Sequence, residues 1–239
     1  MNSAFDRMNE MTAIGRPIDP RNFTNLLILI LTPLVGGVAG GFALASGLEL
    51  GTAARIGLSA GIITLLTWIL ARETDHDHPW SAFLSVTLAV VAFYLIQRNM
   101  LLQDEPHLLD TAVLTLFFAV LVMRIVSRIV GPPAQVVDSV GLLIGTAAVA
   151  FFGIWVTALV GVLAFLLDGV MSKPVWRNLL FALLALVVIA ARIVIQNIGE
   201  PGALTLPYLL VIVAISIAYG ATIIATREMH VGCDLEGHE

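Results

Sequence analysis

The 239-residue chain has few charged residues, one cysteine and one lysine. Charged residues make up 12%, against about 25% in a soluble globular protein. The single cysteine, Cys233, excludes an internal disulfide and any CxxC redox motif. The single lysine, Lys173, falls in a predicted loop, which excludes a retinal Schiff base inside a helix bundle. There is also no HExxH, GxSxG or P-loop motif, and no aspartate-rich motif that would hold a magnesium-bound diphosphate.

Apolar residues dominate what remains. They make up 59% of the chain, the mean hydropathy is +0.96, and they stand in long blocks rather than in alternation. Such blocks predict an all-α integral membrane protein, a polytopic helical bundle of seven or eight transmembrane spans. We expect one transmembrane domain, 23–227, between a polar N-terminal segment, 1–22, and a polar C-terminal tail, 228–239. The apolar blocks cover 24–48, 53–71, 80–97, 111–130, 140–167, 179–196 and 204–226.

The fifth block decides the number of spans. Twenty-nine uncharged residues separate Asp138 from Asp168, and as one helix they would be roughly 43 Å long, against a hydrocarbon core of about 30 Å. The alternative is two short helices that meet near Gly153, Ile154 and Trp155. With a cytoplasmic N-terminus, eight spans place nine of the 12 basic residues inside, whereas seven spans place seven there. We therefore favour eight spans in a multi-pass protein of the cell membrane.

Two pairs of similar segments predict an internal duplication. IGRPIDPRNFTNLLI at 14–28 is similar to VGPPAQVVDSVGLLI at 130–144, and PWSAF…YLIQRN at 79–99 is similar to PVWRNLLF…IVIQN at 174–197. With eight spans these segments predict two parallel four-helix halves, repeats 14–130 and 131–227. The alternative is that helices rich in Leu, Ile and Ala are alike through composition alone.

The loop after the second block, ARETDHDHPWSAF, is the candidate metal site. Its proposed ligands are Asp75, His76, Asp77 and His78, and Glu73 stands close by. Carboxylate oxygens together with imidazole nitrogens suit a divalent metal such as Zn²⁺, Mn²⁺ or Fe²⁺. The alternative is a solvated polar turn that binds nothing.

Five charged residues are candidates for substrate binding. Arg124 and Arg128 lie one helical turn apart at the end of the fourth block, where they either anchor the helix at the interface or bind an anionic head group. Asp138, Asp168 and Arg177 are expected on the same side of the membrane. Asp168 is a possible ion-pair partner of the arginines.

Two further features fall inside predicted spans. Arg192 precedes the end of the sixth block by four residues, and we interpret it as a snorkelling side chain, a partner of Glu200 or part of a polar path. Four glycines in the first block form two overlapping GxxxG pairs, which favour close helix packing within the monomer, a homodimer face or a solute path. They are Gly36, Gly37, Gly40 and Gly41.

The sequence favours transport or permeation of a small solute or ion, because small size, glycine-rich helices and a broken block are typical of transporters. A membrane-embedded, metal-dependent enzyme acting on a lipid or isoprenoid head group is the first alternative. A structural subunit of a larger membrane complex is the second. The lipid bilayer is the expected partner, with a homo-oligomer or a larger complex as further alternatives. The sequence has no basic patch that would indicate binding of nucleic acid.

Overall fold

The computed structural model describes residue 18 and residues 20–75, 79–103, 107–127, 135–153, 155–170 and 176–195. The chain divides into two compact units, residues 1–197 and 198–239. The second unit lies outside the described residues, and with it the predicted span at 204–226 and the C-terminal tail. The domain boundaries and the paired halves that include this unit remain predictions.

The described part of the first unit is helical, with no strand, which confirms the all-α prediction. By length and composition, the helices Phe23–Ala45, Leu50–Thr74 and Arg177–Ile195 qualify as membrane spans, and shorter apolar helices cover Trp80–Leu95, Val136–Phe152 and Trp155–Gly169. These helices indicate a multi-pass membrane protein, while seven or eight spans and a cytoplasmic N-terminus stay predictions. The helices are α1 Phe23–Ala45, α2 Leu50–Thr74, α3 Pro79–Gln103, α4 His107–Ser127, α5 Val136–Phe152, α6 Ala158–Val170 and α7 Arg177–Ile195.

Local chemistry sets the limits of α1. The Asn22 side chain accepts a hydrogen bond from the backbone N–H of Thr24 at 3.0 Å, which satisfies a free donor at the helix start. Pro33 lies inside α1, which continues through it. At the other end Gly47 adopts a positive φ of 86°, a conformation that glycine reaches without steric cost, and the chain turns into α2 within four residues.

Glycines bring α1 and α2 into backbone contact. A Cβ at Gly57 would lie 2.7 Å from the carbonyl oxygen of Gly36, and a Cβ at Gly40 would lie 3.1 Å from a carbonyl of α2. By contrast, a Cβ at Gly37 or Gly41 would meet nothing within 4 Å. Gly36 and Gly40 therefore pack within the monomer, the first of the three alternatives, and all four glycines border an open groove of about 560 Å³.

The fifth apolar block is broken into a helical hairpin, which confirms the predicted split. α5 ends at Phe152, and after the hairpin tip, described at residue 153 and at Trp155–Thr157, α6 starts at Ala158. A Cβ at Gly161 would overlap the hydroxyl of Thr146. In one continuous helix these two residues would be about 22 Å apart, so the contact requires the chain to reverse direction.

Two groups of helices surround separate apolar cores. The larger core joins α4, α5, α6 and α7 and includes the fully buried side chains of Leu142, Val149 and Phe165. The ring of Phe165 stacks on that of Phe181, with centroids 5.6 Å apart. Two smaller clusters join α1, α2, α3 and part of α4. Many large apolar side chains point outwards instead, as contact with lipid requires.

Candidate functional site

A buried polar relay joins three helices where α5 begins, α6 ends and α7 begins, a region we call the hairpin base. The hydroxyl of Ser139 donates to the side-chain oxygen of Asn178 at 2.8 Å, and the Asn178 amide nitrogen donates to the Asp168 carboxylate. Ser139 and Asn178 are 0% exposed and Asp168 is 2% exposed. Buried polar groups need such partners, so the relay fixes the three helix ends relative to one another.

Asp138 lies beside this relay, in the first turn of α5, and is 1% exposed. Its carboxylate accepts a hydrogen bond from the backbone N–H of Gln135 at 2.8 Å. A carboxylate in the first turn also interacts favourably with the helix dipole. Asp138 therefore stabilises the start of α5, whatever else it contacts.

The predicted grouping of Asp138, Asp168 and Arg177 agrees with these positions. The hairpin brings the two aspartates to the same end, and Arg177 directly precedes Asn178 at the start of α7. No sequence motif singles out Asn178, although its side chain joins Ser139 to Asp168. Its only signal was an uncharged amide in the first turn of a very apolar helix.

Arg124 has a partner within the chain. Its Nε lies 2.9 Å from an oxygen of Glu73, and the two side chains are only 12% and 11% exposed. This ion pair ties the end of α2 to the end of α4. Arg128, the other arginine of the predicted head-group contact, lies outside the described residues.

The candidate metal site is described only at its first residue. Asp75 caps the end of α2, and its carboxylate accepts a hydrogen bond from the Ser81 hydroxyl at 2.8 Å. This bond connects the end of α2 to the first turn of α3. His76, Asp77 and His78 lie outside the described residues. Over the part of the chain that the structure covers, no three His, Cys, Asp or Glu side chains group together. The divalent metal stays a prediction.

Arg192 reaches sideways to the last turn of α5. Its Nε donates to the carbonyl oxygen of Ala150 at 3.0 Å, and the side chain is half-buried. A cation that donates to the last carbonyls of a helix stabilises its C-terminus. Glu200, its predicted partner, lies outside the described residues.

The interior above the hairpin base is apolar and closely packed. Leu142, Val149 and Ala185 are completely buried between the helices. The buried hydroxyl of Thr146 donates to a carbonyl of its own helix, at 2.8 Å. Within the described ranges, no chain of buried polar side chains leads away from the relay through this core.

Comparison with known proteins adds no family. No protein-family model, no curated protein and no solved structure matches this chain. The chemistry of the hairpin base therefore carries the functional proposal by itself.

Proposed function

We propose that this chain binds the polar head group of a membrane lipid or isoprenoid at the hairpin base. The observation that carries the proposal is the buried relay of Ser139, Asn178 and Asp168 in an otherwise apolar helix group. Polar and ionisable side chains are costly to place in a membrane protein, so a buried set is first considered functional.

The position of the relay supports a head group rather than a solute halfway across the bilayer. Asn178 is the second residue of α7, and Trp176, which is 75% exposed, comes directly before that helix. Tryptophan prefers the level of the lipid head groups, so the relay belongs near that depth. Transporter sites typically lie near the bilayer midplane instead, and the described interior there is apolar.

More specifically, we propose that the protein is an enzyme that acts on the bound head group. Asp75, His76, Asp77 and His78 would hold its divalent metal, because carboxylate and imidazole groups polarise a phosphate or activate water through such an ion. Arg124 would contribute to the site indirectly, since Glu73 already engages its guanidinium. Arg177 and Asp138 would border the head group at the hairpin base.

The experiment is native mass spectrometry of the full chain in detergent with three added probes. The probes are dioleoyl phosphatidic acid, dioleoyl phosphatidylethanolamine and farnesyl phosphate. Wild-type protein is expected to retain at least one of them, and Asp168→Asn, which removes a charge without changing shape, is expected to lose it. Asp110→Asn is the matched control, because Asp110 is an exposed carboxylate paired with Arg55. Equal retention by both variants, or none by the wild type, would refute the proposal.

Transport of a small solute or ion is the second candidate, and the broken α5–α6 hairpin favours it. Short discontinuous helices are typical of transporter cores, and α5 and α6 are both shorter than a complete span. The test is stopped-flow swelling of proteoliposomes with urea, glycerol and potassium chloride. Transport predicts a wild-type rate above that of protein-free liposomes for one of them. Identical rates for all three contradict it for these solutes.

A further inference from the structure

Two helices of the hairpin, α5 and α6, are short compared with a bilayer, and Arg192 interrupts the longer apolar run of α7. Between Asn178 and Arg192 the apolar stretch of α7 is 179–191, about 20 Å at 1.5 Å per residue. The apolar part of α5, 140–152, is equally long, and that of α6, 158–167, is about 15 Å. A typical hydrocarbon core is about 30 Å thick, and tilting a helix reduces the thickness it covers. The apolar lengths of α5, of α6 and of α7 up to Arg192 are therefore all smaller than the thickness of the hydrocarbon core, which is a hydrophobic mismatch.

Snorkelling of Arg192 does not remove this mismatch. An arginine near a helix end usually extends its charge towards the water. Here the Nε of Arg192 donates to Ala150, two residues before the end of α5, so the guanidinium is held at the level of the hairpin tip. The charge therefore lies within the thickness that a bilayer of ordinary dimensions would fill with hydrocarbon.

The remaining donors of Arg192 point to an anion. In the described part of the chain its one hydrogen bond is that to Ala150, made through Nε, and no carboxylate pairs with it. The two terminal nitrogens carry four more N–H donors in a planar fork that matches a phosphate group. The membrane itself supplies phosphate next to such a helix. Phe152, which is 81% exposed beside the tip, offers an apolar contact for the lipid chains.

We propose that Arg192 binds the phosphate of a membrane phospholipid at the hairpin tip and so draws that leaflet inwards, thinning the bilayer beside α5, α6 and α7. Binding there brings head groups to the depth of the guanidinium and removes the mismatch of the three helices. The inference concerns the end of the hairpin opposite to its base, and it does not rest on the proposed head-group site.

The first experiment measures the melting midpoint of the full chain in vesicles of three thicknesses. The vesicles are made of dimyristoleoyl, dioleoyl or dierucoyl phosphatidylcholine. The wild type is expected to melt highest in the thinnest bilayer, by about 3 °C or more over the thickest. Arg192→Leu is expected to lose this preference. Arg55→Leu, which removes an exposed arginine paired with Asp110, should keep it. A wild type that melts highest in the thickest bilayer, or an unchanged preference in Arg192→Leu, overturns the proposal.

The second experiment needs no variant, so it holds even if Arg192→Leu fails to fold. Wild-type protein is compared in dioleoyl phosphatidylcholine and in dioleoyl digalactosyl diacylglycerol, which has the same chains and no phosphate. A melting midpoint lower by about 3 °C or more in the phosphate-free lipid supports the proposal. Equal midpoints refute it. Recovery on addition of inorganic phosphate would show a site for free phosphate and would also refute binding of the lipid.

Discussion

Asn178→Leu tests whether the hairpin base is held together by its polar relay. Leucine has the same branched arrangement of side-chain heavy atoms as asparagine, with larger methyl ends, but offers no hydrogen bond, so it removes both contacts of the amide. Ser139 keeps an alternative acceptor, because its hydroxyl lies 3.2 Å from the carbonyl oxygen of Gln135. Asp168 loses a donor at a carboxylate that is 2% exposed. A hydrogen bond to a charged group contributes about 1.5–3 kcal/mol, so we expect the free energy of unfolding to fall by about 2–3 kcal/mol.

The assay is steric-trap unfolding in bicelles, which gives a free energy for the full chain. A double variant, Asn178→Leu with Asp168→Leu, should recover most of the loss, because an apolar pair of similar shape leaves no buried charge. A free energy of unfolding for Asn178→Leu within about 0.5 kcal/mol of wild type would show that the relay does not hold the helices together.

Three further predictions concern packing, the ion pair and topology. Gly57→Ala should destabilise the protein by about 1–3 kcal/mol, because its Cβ would lie 2.7 Å from a carbonyl of α1. Gly37→Ala meets nothing within 4 Å and should be neutral or stabilising. Thermal unfolding compares the two variants. Arg124→Met should lower the free energy of unfolding, measured by steric trapping, by about 3–5 kcal/mol. Adding Glu73→Gln should reduce that loss, since it removes the charge that the first substitution leaves unpaired. With eight spans and a cytoplasmic N-terminus, Cys233 should react with an impermeant maleimide only after cells are permeabilised; labelling in intact cells contradicts that topology.

The existence of the described helices could be predicted because the bilayer imposes a simple rule. A spanning segment must satisfy its backbone internally and present apolar side chains, so hydropathy alone locates it. The first apolar block, 24–48, overlaps the helix Phe23–Ala45, and the second, 53–71, lies inside Leu50–Thr74. The ends differ because helices continue through polar residues such as Arg72 and stop where a turn such as Gly47 is built. Hydropathy reports the surrounding lipid rather than the hydrogen bonds of the helix ends.

The hairpin could be predicted for a different reason. The uncharged run between Asp138 and Asp168 is too long for one comfortable span and short for two, so its length leaves both arrangements open. The distribution of arginines decided between them, because it reports the side of the membrane and not local structure. The turn at Gly153 then agrees with the chain reversal that brings both aspartates to the same end.

The side-chain partners could not be predicted, and the cause is the uniform apolar surface of these helices. In a soluble protein, an apolar stripe shows which face of a helix turns inwards. α7 exposes Leu180, Leu183 and Val187 to lipid while it buries Ala185, so both faces are apolar and their pattern does not fix the rotation of the helix. Without that rotation, neither the contact of Arg124 with Glu73, 51 residues away, nor that of Arg192 with α5 can be derived.

The positions of the polar residues along the helices narrow the range of functions more than their number does. The buried or nearly buried ionic and amide side chains, such as Glu73, Arg124, Asp168 and Asn178, lie within about two turns of a helix end. At that depth water and head groups are close, so the cost of burying them is lower than at the centre of the bilayer. A protein built in this way can act on groups that come to the membrane surface. To carry a solute through its apolar core, α5, α6 and α7 would have to separate from α4, breaking the largest core in the described part of the chain.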